Sequence, residues 1–93
     1  MKKLYTVYDR KSKAFFSPFT SENDDTAKRM LASSVNSSGT MISQYPEDYD
    51  LFMIGSFSET TGCVTGVTPA EFVCRLDSLR VSAPVVSAEV TNG

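Results

Sequence analysis

The sequence predicts an α+β fold, with one mainly antiparallel sheet of four to five strands and one helix packed on a face. Short runs of aromatic and β-branched residues, separated by polar turns, are typical of antiparallel strands. Only residues 27–35 place apolar side chains at helical spacing. At 93 residues and 41% hydrophobic content the chain is one small domain. We expect this domain to span residues 1–80, and residues 81–93 to form an extended or disordered tail.

The first two strands should form a hairpin. Residues 4–8 and 14–16 are aromatic and apolar, and the polar residues 9–13 between them suit a turn. We expect the second strand to end at Pro18, because proline cannot donate to a strand ladder.

The one long helix is predicted after residues 21–25, which are rich in helix-capping side chains. Asn23 or Asp24 is the expected N-cap, with acidic residues in the first turn, where the helix dipole favours them. Residues 36–39 should end the helix, with Gly39 suited to a left-handed exit. The apolar stripe consists of Ala27, Met30, Leu31, Ser34 and Val35.

Residues 40–44 are predicted to form a short strand, and residues 45–50 an acidic loop with two tyrosines. Residues 50–58 give the clearest strand. Its two faces are both apolar, since Leu51 and Met53 alternate with Phe52 and Ile54. A strand that is apolar on both faces is expected at the centre of a sheet.

The last elements form a second hairpin. Gly62 should take the left-handed position of the turn, and residues 63–67 should return along the preceding strand. Pro69 is expected to break the chain. Residues 71–76 then form a final strand or, as the alternative, a short helix.

Positive charge is concentrated at the start of the chain. Residues 1–20 carry a balance of +4 and residues 21–93 a balance of −6, which together give the net charge of −2. Cations beside aromatic rings suit single-stranded nucleic acid, which presents phosphates and unstacked bases. The candidate contacts are Lys2, Lys3, Tyr8, Arg10, Lys11, Lys13 and Phe16, and Lys28 and Arg29 extend them if the helix starts beside the hairpin. The alternative is a solvated basic turn with its aromatic rings in the core.

A second candidate surface is the acidic aromatic loop. Tyrosines among carboxylates suit the rim of a protein interface, so this loop favours a protein-interaction module. Its candidate contacts are Tyr45, Glu47, Asp48 and Tyr49. A solvated loop whose turn is fixed by Pro46 is the alternative.

Enzyme chemistry is not indicated. The chain has no histidine, so it lacks the usual general base near neutral pH. No glycine-rich nucleotide motif is present. Cys63 and Cys74 lack the spacing of a zinc site, and we expect free, mostly buried thiols in a reducing cytosol. We therefore expect a non-enzymatic protein with no cofactor and no metal.

No signal peptide is expected, because polar Thr6, Asp9 and Arg10 interrupt the apolar run that it would need. No membrane association is expected either, because the longest apolar stretch, residues 51–54, is far too short to span a bilayer. We expect a homodimer, because one helix covers only one face of the central strand. The other face is then buried by a second copy or by the tail.

Three blocks of sequence resemble the small nonstructural protein of gokushoviruses, tailless single-stranded DNA phages of the Microviridae. Residues 3–9 with Pro18-Phe19 resemble its amino-terminal signature, residues 25–30 its helix opening, and residues 45–57 its middle motif. The resemblance covers residues 1–80. It implies a DNA-binding protein that favours synthesis or packaging of single-stranded progeny DNA in the host bacterial cytoplasm. It implies no catalytic residues.

Overall fold

The computed structural model describes residues 1–81, so the predicted tail, apart from its first residue, lies outside the described residues. Within this range an antiparallel five-stranded sheet carries one main helix, which confirms the predicted α+β fold. The strands are β1 (Lys2–Asp9), β2 (Ala14–Phe15), β3 (Phe19–Ser21), β4 (Tyr49–Phe57) and β5 (Val64–Arg75). The helices are α1 (Asp24–Val35) and α2 (Met41–Gln44), with 3-10 turns at Pro46–Asp48 and Leu76–Leu79.

Strands β1 and β4 form the centre of the sheet, whose order is β2-β1-β4-β5. The outer edge of β1 is shared, because β3 pairs with its first half and β2 with its last two residues. On its other side β1 pairs with β4, so that Tyr5 lies opposite Met53 and Val7 opposite Leu51. The hydrogen-bonding partner of β1 on this side is therefore a strand from the middle of the chain.

The core lies between α1 and one face of the sheet. Tyr5, Val7 and Leu51 supply the sheet side, and all three are buried. Tyr49 at the start of β4 adds to the sheet side, and the partners from α1 and the last 3-10 turn are Ala27, Leu31, Val35 and Leu76. Because side chains alternate along a strand, the neighbouring Phe52 points to the opposite face, as the pattern of β4 predicted.

Helix α1 begins as its capping residues predicted. Asn23 is the N-cap, and its side chain accepts a hydrogen bond of 2.9 Å from the backbone N–H of Thr26. Thr26 bonds back to the backbone N–H of Asn23, which completes a capping box. After the helix, Gly39 has a φ of 88°, in the left-handed region that glycine adopts without strain.

The strand predicted at residues 40–44 was wrong, because this segment forms α2. The physical reason is a second capping box. Thr40 accepts a hydrogen bond of 2.9 Å from the backbone N–H of Ser43, and the Ser43 hydroxyl lies 3.2 Å from the Thr40 backbone nitrogen. These two bonds give partners to backbone N–H groups that would otherwise be unpaired at the start of a helix, so a helical turn is favoured over a short strand. The sequence predicts no strand directly after Pro18, but β3 follows it at Phe19–Ser21 and pairs with β1.

Pro69 does not end its strand, contrary to the prediction, and β5 continues through it. The register jumps from Glu71 opposite Met53 to Gly66 opposite Gly55, and no pairing to β4 is recorded for residues 67–70. Proline is tolerated there because no ladder hydrogen bond is required of it. The cysteines are both unpaired, but Cys63 is exposed rather than buried, and Cys74 is half-buried.

At Gly55 the backbone of β4 closely approaches that of β5. A Cβ atom at this position would overlap the backbone carbonyl oxygen of Thr65. The ladders on both sides of β4 also shift register here. Gly55 therefore lies at a bulge and permits a close approach of the two backbones.

Candidate functional site

Four aromatic rings cross the face of the sheet that α1 does not cover. We call Tyr8, Phe15, Phe52 and Phe72 the aromatic row. Each ring comes from a different strand, and ring centroids lie 4.6 Å apart for Tyr8–Phe15, 5.8 Å for Phe15–Phe52 and 5.9 Å for Phe52–Phe72. The row therefore runs across β2, β1, β4 and β5 without a gap.

Strand register places these rings on one face. Tyr8 lies opposite Phe15, and Phe52 lies opposite Phe72, so each pair projects to the same side of the sheet. The two end rings are the exposed ones, at 53% for Phe15 and 57% for Phe72, whereas Tyr8 and Phe52 are half-buried between them. Contiguous exposed apolar side chains of this kind typically mark an interaction surface.

Tyr8 and Phe16, the two aromatic rings among the predicted DNA contacts, lie on opposite faces of the hairpin. The Phe16 backbone N–H donates to Val7 O at 2.8 Å, so Phe16 follows Val7 toward the helix side. Its ring contacts that of Tyr49 at a centroid distance of 5.7 Å. The ring beside Tyr8 is Phe15, and the sequence reasoning missed Phe15, Phe52 and Phe72 as candidate contacts. The alternation of Phe52 with Leu51 was the available signal for one of them.

The basic turn, residues 10–13, is held in shape by Asp9. Its carboxylate accepts hydrogen bonds from the backbone N–H groups of Lys11, at 2.9 Å, and Ser12, at 3.3 Å. Desolvation alone would raise the pKa of Asp9, but these hydrogen bonds outweigh it and hold the pKa below its usual value. Lys13 closes the turn with a φ of 59°. Lys11 and Lys13 are exposed at the end of the hairpin that carries Phe15.

Arg10 joins the basic turn to the acidic loop. Its Nε lies 3.1 Å from Asp50 Oδ2, and its backbone N–H donates to Asp48 O at 3.0 Å. Its guanidinium also donates to the backbone carbonyl of Glu47. Asp50 is buried, so its charge needs this partner. The basic turn and the acidic loop, which the sequence predicts as separate candidate surfaces, are therefore in direct contact. The Arg10 side chain is engaged in that contact and is not free to bind phosphate.

The remaining predicted cations lie away from the aromatic row. Lys2 and Lys3 begin β1, about 20 Å along the strand from Tyr8, and Lys2 Nζ lies 3.3 Å from Glu22 Oε2. Lys28 and Arg29 lie on α1, on the other side of the sheet. Although α1 begins beside β1, it packs on the face opposite Tyr8, so these two cations do not extend the surface that carries the aromatic row.

The start of α1 is fixed beside the middle of β1 rather than beside the basic turn. The Tyr5 hydroxyl donates to Asp24 Oδ1 at 2.7 Å, which ties the first turn of the helix to the core. Burial of the ring, followed by the bond to Asp24 and its charge, raises the pKa of Tyr5.

Arg75 is a cation that the sequence reasoning did not select. It lies opposite Asp50 in the ladder, so it shares a face with the aromatic row, close to Phe72. Its Nη2 lies 2.9 Å from Asp77 Oδ2, and both side chains are partly exposed. The sequence gives no signal that distinguishes Arg75 from other isolated charged residues, because the face on which it lies depends on the register between β4 and β5.

The acidic loop exposes only part of its candidate surface. Tyr45 is 47% exposed and Glu47 is also exposed, while Asp48 is half-buried. Tyr49, expected as a second exposed tyrosine, is only 4% exposed and belongs to the core. Burial, together with the charges of Asp9 and Asp48, raises its pKa. Its ring packs inside the domain because it begins β4 on the helix side, so it offers no contact surface.

Within residues 1–81 no group of side chains is arranged to hold a metal ion. No helix among these residues is long and apolar enough to cross a membrane.

Comparison of the sequence with models of known protein families gives one match. The model of a protein family described as Phage ORF5 protein matches residues 2–79. This range runs from the start of β1 to the turn at Leu76–Leu79. No curated protein and no solved structure matches the chain.

Proposed function

Because the chain belongs to the Phage ORF5 protein family, we propose that it is a non-enzymatic phage protein that binds single-stranded DNA during genome synthesis or packaging. The resemblance to the gokushoviruses of the Microviridae supports this role, with the host bacterial cytoplasm as the place of action. The observation that carries the proposal is the aromatic row on the face of the sheet opposite α1, which no helix within residues 1–81 covers. The protein is expected neither to hydrolyse nucleotides nor to cut DNA.

Exposed rings favour single strands over duplex. Stacking of a base on an aromatic side chain contributes about 1–3 kcal/mol and is open to any base whose π-face is accessible. In a duplex those faces are already stacked on one another. Phe15 and Phe72 offer such surfaces at the two ends of the row, so unpaired DNA is the form of ligand that suits this face.

The cations near the aromatic row can contact phosphate, but they are too few to supply most of the binding affinity. Lys11 and Lys13 are exposed beside Phe15, whereas Arg10 is paired with Asp50. The whole chain carries a net charge of −2, which opposes long-range attraction of a polyanion. Two or three phosphate contacts would give a log–log salt slope of about −1.5 to −2. Stacking therefore supplies much of the expected affinity.

The proposal is tested by anisotropy titrations with labelled oligothymidylate and with a duplex of the same length, at several salt concentrations. Phe15→Ala should weaken single-strand binding about tenfold, because it removes one stacking surface. Phe16→Ala is the matched control, since it is the neighbouring exposed phenylalanine but lies on the opposite face. It should leave the affinity unchanged.

Circular dichroism would establish that both variants are folded. Equal affinity for single strands and duplex, or equal effects of the two variants, would contradict the proposal.

A second candidate function is a protein-interaction module that binds a viral replication or procapsid component, or a host factor, through the acidic loop. The supporting observation is that Arg10 and the buried Pro46 hold the loop backbone in place, so Tyr45 and Glu47 are presented from a fixed turn. DNA affinity that is indifferent both to salt and to Phe15→Ala would favour this alternative.

A further inference from the structure

We propose that a single strand crosses the sheet at right angles to the β-strands, with one base on Phe15, one on Phe72 and a phosphate contact near each end. The inference rests on the proposed function and adds its path, its length and an unassigned phosphate contact, Arg75. One copy of the protein would then hold about four nucleotides.

The division of the aromatic row into end rings and central rings sets the stacking positions. Phe52 meets Tyr8, Phe15 and Phe72 edge to face, with interplanar angles of 88°, 72° and 76°. Tyr8 and Phe52 are half-buried by these contacts, so their faces are partly covered by neighbouring rings. Phe15 and Phe72 are each more than half exposed, at 53% and 57%. Bases therefore have open ring surface at the two ends of the row.

The spacing of strands sets the length of the site. Neighbouring strands lie about 4.8 Å apart, so the path from β2 to β5 covers three spacings, or about 14 Å. One strand of DNA carries a phosphate about every 3.4 Å at duplex spacing and less densely when stretched. The row therefore matches about four nucleotides, and fewer in a fully extended strand.

The charges along this path favour phosphate at its ends and oppose it near the middle. Lys11 and Lys13 lie at the Phe15 end, and Arg75 lies near Phe72. Between them, Asp50 of β4 pairs with Arg10, so neither member of that pair is offered to phosphate. Arg75 holds Asp77 only through a pair in which both side chains are partly exposed. Such pairs are weak, so a phosphate can take the place of Asp77.

The absence of tryptophan from the chain gives a direct test of the two stacking positions. Phe15→Trp and Phe72→Trp each introduce a single tryptophan, whose indole can be excited selectively over the four tyrosines. Phe16→Trp is the matched control on the opposite face. Adding oligothymidylate should quench the fluorescence of the first two variants and leave the third unchanged, because a stacked base quenches indole fluorescence. These substitutions keep an aromatic ring at partly exposed positions, so folding should be retained.

The length and charge of the site are tested by titrating oligothymidylates of increasing length. Affinity should rise steeply up to about four nucleotides and then only by the statistical gain in binding registers. Arg75→Ala should flatten the log–log salt slope by about 0.7, the share of one phosphate contact on a single strand. Arg29→Ala should leave the slope unchanged, because Arg29 is an exposed arginine on α1, on the other side of the sheet.

Failure of the crossing path can be distinguished from failure of the proposed function. Quenching at Phe15→Trp without quenching at Phe72→Trp would overturn the crossing path but leave DNA binding intact. A log–log salt slope for Arg75→Ala equal to that of the unchanged protein would show that Arg75 does not contact phosphate. No binding at any length would overturn the proposed function itself. Quenching that appears with protein concentration alone, without DNA, would show that a second copy occupies the row.

Discussion

Arg10 shows how one residue can change its role between sequence and structure. By composition it is one of a group of cations in a polar turn, which is why it was selected as a phosphate contact. In the fold it makes an ion pair with Asp50 and two bonds to the acidic loop. The sequence could not predict this, because the loop lies about forty residues away.

Arg10→Ala should therefore lower the free energy of unfolding by about 1–2 kcal/mol, since it removes a charged hydrogen-bond partner from a buried carboxylate. Lys11→Ala, in the same turn, should change it by less than about 0.5 kcal/mol, because its side chain is exposed. Urea denaturation followed by circular dichroism measures both values. Equal stability of the two variants would show that the pair with Asp50 contributes nothing.

At the scale of elements, the sequence predicts features that depend on neighbouring residues, but it does not predict which strands pair or in which register. The N-cap of α1 and the turn at Gly62 depend on nearby residues, and both are confirmed. The two apolar faces of β4 predicted a central strand, and β4 lies at the centre of the sheet. The opposite faces of Tyr8 and Phe16 depend on strand register, in which a shift of one residue changes the face. For the same reason the aromatic row could not be predicted as a set, since its rings come from four strands.

Gly55→Ala should destabilise the β4–β5 pairing by about 1–3 kcal/mol. The added Cβ overlaps a backbone carbonyl of Thr65, which cannot move without disturbing the ladder. Gly66 is the register partner of Gly55, and a Cβ there meets nothing within 4 Å, so Gly66→Ala is a matched control. Thermal unfolding of both variants checks the prediction. A Gly66→Ala variant as unstable as Gly55→Ala would assign the effect to glycine loss in general.

At the scale of the whole molecule, one helix covers one face of a sheet whose central strand is apolar on both. We propose that, without DNA, a second copy covers the aromatic row, which gives the expected homodimer. The described residues leave Phe15 and Phe72 exposed, and a surface of this kind favours self-association at high concentration.

Sedimentation velocity should therefore detect a dimer at high protein concentration, and a short oligothymidylate should convert it to DNA-bound monomer. The two events compete because they use the same rings. A monomer at every concentration would contradict the dimer. A dimer that persists when DNA is bound would place the contact between copies elsewhere, for example at the open edge of β5.

The pairing of β1 with β4 also has a consequence during synthesis. Lys2 pairs with Phe57 and Tyr8 with Asp50, so the first strand leaves the ribosome long before its central partner exists. Until then Tyr5 and Val7 have no core to enter, and an unpaired apolar strand is an aggregation hazard. Lys2 and Lys3 at the start of β1, and Lys11 and Lys13 after its end, keep the nascent segment charged and oppose its association with other chains. We therefore expect the basic residues around β1 to limit aggregation before the protein has folded, independently of any ligand that it binds afterwards.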